Sequence, residues 1–123
     1  MEYSIDVAFP TTFTANNMQL HHLELIAEEC NTSSIYSSYE IEGGKQIDRN
    51  QCIMTAKFNK KSDLINFIKK IKRCHKVYIE CIYEDDITCR IIYASKQYQK
   101  YMNKSEVKEY IKRKKINNDM IIL

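Results

Sequence analysis

Glycine is nearly absent from this chain of 123 residues: Gly43 and Gly44 are its two copies, Pro10 is its one proline, and there is no tryptophan. Two adjacent glycines do not make a phosphate-cradling turn, and Gly43-Gly44-Lys45 lacks the further glycine and the Ser/Thr of a phosphate loop. No apolar run approaches the roughly 20 residues that cross a bilayer. Met1-Glu2-Tyr3-Ser4 offers neither a basic nor an apolar leader, so the expectation is a cytoplasmic chain with no membrane partner. Cys-x-x-Cys and His-Glu-x-x-His spacings are both missing. The odd set Cys30, Cys52, Cys74, Cys81 and Cys89 lies mostly inside apolar patterns, which predicts reduced thiols without disulfides.

Catalytic constellations are missing as well. Cys74 and His75 are neighbours in sequence and point about 100° apart on a helix, and Asp85-Asp86 reads as a turn. His21-His22 with Glu24, Glu28 and Glu29 reads as a solvated acidic helix face, because zinc takes four ligands and the one other histidine, His75, is predicted on a different helix. The expectation is a protein that is not an enzyme and holds no metal or cofactor.

What the chain does have is a charge split. Residues 1–48 hold one base, Lys45, against eight acids, whereas residues 49–123 hold 18 bases against eight acids, for a net charge of +3. Such a division builds faces of opposite sign. With 44% hydrophobic and 28% charged residues, the length suits one domain, 1–123, divided into a core of 1–93 and a helical C-terminal extension of 94–123.

Tyr3, Ile5, Val7 and Phe9 alternate with smaller or polar residues, predicting a strand over 2–9 that stops at Pro10. Leu20, Leu23, Ile26, Ala27 and Cys30 recur at helical spacing, predicting a helix over about 16–30. Alternation returns at Ile35 to Ile41 and at Cys52 to Phe58. Matching the faces of these two strands favours pairing Ile35 with Phe58 and Ile41 with Cys52, across an exposed loop from Glu42 to Gln51. Ser62 is the expected N-cap of a helix over 62–75, with Leu64, Phe67, Ile68 and Ile71 facing inward. Val77 to Tyr83 and Ile87 to Tyr93 are expected to form a hairpin that sets Cys81 opposite Cys89 and Glu80 opposite Arg90. A short helix is predicted over Lys96–Met102, and Asn103-x-x-Glu106 resembles a capping box opening a helix over 104–116.

This β-α-β-β-α-β order, over residues 2–83, resembles the ferredoxin-like fold and implies an α+β antiparallel sheet with two helices on one face. The added strand implies the order 5-4-1-3-2. RNA-recognition modules on this fold carry aromatic residues and glycines on the third strand; Gln51-Cys52-Ile53-Met54-Thr55-Ala56-Lys57-Phe58 has neither glycine nor central aromatic, which excludes that module. The element order is also similar to ACT-type small-molecule-sensing domains, without their Gly-rich turn after the first strand. The abundance of Ile, Lys, Asn and Tyr is similar to that of proteins from AT-rich genomes, such as those of large DNA viruses and of some protozoa and bacteria.

Two surfaces stand out as binding candidates. Tyr78, Ile82 and Ile92 put apolar residues on the second sheet face and are the expected interface of a non-catalytic module that self-associates or docks a protein partner. Lys69, Lys70, Arg73 and Lys76, with Lys112, Arg113, Lys114 and Lys115, are the basic faces through which the chain would instead bind nucleic acid, with Tyr98, Tyr101 and Tyr110 available to stack on bases. A small-molecule-sensing regulatory domain is the third reading.

Overall fold

The computed structural model describes residues 2–10, 15–38, 51–84, 89–116, 121 and 123. Its elements are β1 (Tyr3–Pro10), α1 (Ala15–Glu29), β2 (Ser34–Ser38), β3 (Gln51–Phe58), α2 (Lys61–Ile71), β4 (Tyr78–Glu84), β5 (Ile91–Ala94), α3 (Lys96–Gln99) and α4 (Lys104–Ile116). The described residues therefore form an α+β domain with a five-stranded antiparallel sheet in the order β2-β3-β1-β4-β5. The expected continuation of the second strand to Ile41, the loop over 42–50, the Asp85-Asp86 turn and the tail over 117–120 lie outside the described residues.

β1 is the middle strand, and its alternation sets the two faces. Ile5 lies opposite Ala56 and Ile82, and Val7 opposite Met54 and Ile79, so these side chains share one face. α1 covers that face with Leu23, Ile26 and Ala27, and α2 covers it with Leu64, Phe67, Ile68 and Ile71. The Phe58 and Phe67 rings meet at 5.2 Å. Each such side chain, fully buried, contributes about 1.5–3 kcal/mol.

Helix ends follow local chemistry. α1 stops where Asn31 turns left-handed at φ 63°. There the Asn31 amide donates to the Glu28 carbonyl and the Thr32 amide to the Ala27 carbonyl, both at 3.1 Å, the double bond of a Schellman ending. α2 begins one residue before Ser62, with Lys60 as a cap that makes no side-chain bond, and ends at Ile71; Arg73 and Lys76 therefore fall in the turn before β4. α4 opens as the sequence predicts: the Asn103 side chain accepts from the Glu106 amide at 2.8 Å and bonds the Glu106 carboxylate in return.

Two registers differ from expectation. Ile35 pairs with Ala56, not Phe58. The slip is two residues, which leaves every side chain on its expected face, so face matching could not detect it. In the β4–β5 hairpin Cys81 lies opposite Ala94 and Ile82 opposite Tyr93, so neither Cys81 with Cys89 nor Glu80 with Arg90 is a cross-strand pair. Arg90 instead meets Glu84 at 2.6 Å, and the Glu80 carbonyl accepts from the Ser95 amide at 2.9 Å. Apolar residues at Ile79 and Ile82, and again at Ile91, Ile92 and Tyr93, break the alternation that would fix the register, and β4 carries an irregularity opposite Asp6 and Val7.

On the far side, Ile92, Ala94 and Tyr110 are all buried. The outer edge of β5 is closed twice: its Ala94 amide donates to the Tyr110 hydroxyl at 3.1 Å, and its Ile92 carbonyl accepts from the Ile121 amide at 3.3 Å.

Candidate functional site

The second sheet face holds a row of polar side chains. Tyr36 lies opposite Thr55, Thr55 opposite Asp6, and Asp6 opposite Cys81, so one side chain from each of four strands enters the row. Thr55 donates to Asp6 Oδ1 at 2.7 Å, and Cys81 Sγ donates to Asp6 Oδ2 at 3.2 Å. Tyr98 of α3 hydrogen-bonds Cys81 in turn, and α3 is held in place by Ser95, whose hydroxyl accepts from the Tyr98 amide at 3.0 Å.

Burial governs the titration of this row. It raises the Asp6 carboxyl above its ordinary range, partly offset by the Thr55 and Cys81 hydrogen bonds. The Cys81 thiol is pushed well up, first by burial and then by the Asp6 charge, and the Tyr98 phenol is raised by burial and by Cys81. Tyr83, in the next row, is pushed up to about 12. Glu80 is raised by burial and then by Asp6, and its Oε2 is buried with no hydrogen-bond partner among the described residues. A thiol held protonated is a poor nucleophile. The row therefore acts as a polar clamp that ties α3 to β1, β3 and β4.

Comparison with protein-family models, curated proteins and solved structures returns no match for this chain.

The expected interface is corrected by the fold. Ile82 is fully buried in the core beside Ile5, and Ile92 is 1% exposed; Tyr78 alone of the three is exposed, at 54%. For Ile82 the irregularity in β4 is the physical reason, because an extra residue between Tyr78 and Ile82 sends them to opposite faces: Tyr78 lies opposite Ala8 and Ile82 opposite Ile5.

The basic residues are distributed over separate elements. Lys69, Arg73 and Lys76 are exposed in α2 and the turn after it, and Lys70 is half-buried 3.5 Å from Glu29 of α1. Lys112, Lys114 and Lys115 are exposed on α4, whereas Arg113 is half-buried, with Nε and Nη1 buried and without a hydrogen-bond partner among the described residues. Tyr110 and Tyr98, offered by the sequence as stacking residues, are occupied within the fold by Ala94 and Cys81. His21 and His22 are exposed on α1.

The polar row was missed because Asp6 occupies an even position of β1, on the face that alternation assigns to solvent. The available signal was its neighbours: Ser4 and Ala8 on that face are too small to shield a strand from water, and both are fully buried.

Proposed function

We propose that this chain is a non-catalytic interaction module on a ferredoxin-like sheet, and that α4 is the element that docks a protein partner or another copy. The β2-β3-β1-β4 portion supports the ferredoxin-like reading, with β5 added beyond β4. The docking reading rests on one observation: of the thirteen residues of α4, Tyr110 is the one buried side chain. A helix of that length is marginal in water on its own, and most helical stability in proteins comes from packing an apolar face. α4 nonetheless leaves Ile111 41% and Ile116 74% exposed. On a helical wheel, Lys104, Lys108, Lys112 and Lys115 lie opposite Tyr110, flanked by those two isoleucines.

Nucleic-acid binding is the second reading, favoured by the exposed cations at Lys69, Arg73, Lys76, Lys112, Lys114 and Lys115. Salt separates the two, because counterion release makes affinity for nucleic acid fall steeply with salt, while an interface with an apolar component is less sensitive. Light scattering behind size exclusion, with and without short DNA and RNA at about 0.15 M salt, is the test. The module reading expects association that Ile111→Asp with Ile116→Asp abolishes, and nucleic-acid binding no tighter than about 10⁻⁴ to 10⁻⁶ M. A monomer that binds nucleic acid more tightly than this overturns it.

A further inference from the structure

We propose that the surface α4 docks is the acidic outer face of α1 on a second copy of this chain. The inference rests on the docking reading of α4 and names its partner.

The outer face of α1 is the counterpart of the outer face of α4. Leu23, Ile26 and Ala27 turn inward, and the helical repeat places Leu25, Glu28 and Glu29 on the opposite side, with Glu24 at its margin. Leu25 is 45% exposed. From Gln19 to Glu29 there are three acids and no Lys or Arg. Glu29 is engaged by Lys70 within the chain, but Glu24 and Glu28 form no ion pair with any described residue, and neither do Lys104, Lys108, Lys112 and Lys115. One helix thus offers an exposed leucine among acids, and the other offers exposed isoleucines beside a lysine stripe. A contact between them matches apolar with apolar and acid with base, the arrangement that gives an interface its orientation and its speed of encounter.

The two faces cannot satisfy each other inside one molecule. α1 packs on α2 and on the sheet face of β1 and β3, whereas α4 packs against β5 at the sheet margin. The contact is therefore between copies. It joins unlike patches, so copies add head to tail and the assembly grows with concentration unless a ring closes.

Sedimentation equilibrium tests this with the parent and two charge-reversed variants, Glu24→Lys with Glu28→Lys, and Lys108→Glu with Lys112→Glu. These side chains are exposed, apart from half-buried Glu24, so the fold should tolerate the changes; circular dichroism checks that each variant is folded. At about 0.05 M salt the parent mass should exceed the 14.6 kDa of one chain and rise with concentration. Salt of about 0.5 M should weaken the charged part of this contact and leave the apolar part in place. Each variant alone should associate at least about tenfold more weakly, or about 1.4 kcal/mol, because its α1 and α4 then no longer carry opposite charge. Mixing the two variants sets the unchanged basic α4 of one against the unchanged acidic α1 of the other, so the mixture should associate more strongly than either component.

A mixture no heavier than its components overturns the proposal. So does a parent that associates through Ile111 and Ile116 yet is indifferent to reversal at Glu24 and Glu28; that result leaves α4 docking in place and removes α1 as its target. A parent that is a single chain in every condition, and binds DNA or RNA tightly, overturns both this proposal and the reading beneath it.

Discussion

Tyr110 carries the attachment of α4, and its two contributions can be separated by substitution. The ring is 1% exposed, and the hydroxyl accepts the Ala94 amide at 3.1 Å. Tyr110→Phe keeps the ring and removes the acceptor, which leaves a buried N–H at a residue only 3% exposed. An unsatisfied buried donor costs about 1–3 kcal/mol. Tyr110→Ala also removes the ring and should cost about 3–5 kcal/mol, a large part of the roughly 5–15 kcal/mol that stabilises an ordinary domain. Urea unfolding measures both, and a domain of this size should lose about 4 °C in Tm per kcal/mol. Hydrogen exchange then localises the effect. Phe should speed exchange at Ala94 alone, whereas Ala should expose the amides of the whole 104–116 helix while β1 and β3 stay protected. A Phe variant as stable as the parent with a slow Ala94 amide, or an Ala variant whose α4 amides remain slow, would refute this account of how α4 is held.

Three further outcomes follow from the site and the registers. Burial raises the folded-state pKa of Asp6 above its ordinary 3.8, so stability from this group is full below that value, falls as pH rises through the raised value and stays lower beyond it. The stability of Asp6→Asn relative to the parent should therefore improve from about pH 3 to neutral pH, and a gap that stays constant would contradict the assignment. A double-mutant cycle should give about 1 kcal/mol or more of coupling between Glu84 and Arg90, a pair that is largely buried on the Glu84 side, and close to none between Glu80 and Arg90; the reverse pattern would restore the register expected from sequence. None of the five cysteines is in a disulfide, so five thiols should react in denaturant without reductant. In the native protein exposed Cys89 should react first and buried Cys30, Cys52 and Cys81 last, and fast labelling of Cys81 would mean that the polar row is open.

Element order was legible wherever large apolar residues recur at one clear period. β1 and α2 show a single clear period, and the Asn103 and Glu106 pair marks the start of α4. Register was legible only modulo two: Ile35 could slide from Phe58 to Ala56 without changing face. In β4 and β5 even that failed, since both faces are buried, one under α2 and the other beside Tyr110, and the alternation that normally separates them is gone. The basic faces could be read from composition, but composition does not say that Lys70 is paired, that Arg113 turns inward or that Tyr98 and Tyr110 are occupied. The Asp6 row left only the small neighbours Ser4 and Ala8 as a trace, because it is assembled from four strands and α3 and each member is ordinary in its own segment.

The closure of β5 has a consequence for growth of the sheet. A fibril of stacked strands needs two open margins, one to receive a strand and one to offer the next. Here one margin has its outward Ala94 amide and Ile92 carbonyl already taken by Tyr110 and Ile121, and β2 forms the other. Strand addition to the folded domain is therefore confined to one side, and pairing of β2 with β2 consumes the margin on both molecules. Such pairing stops at two copies, and runaway stacking would first require α4 to come away from β5.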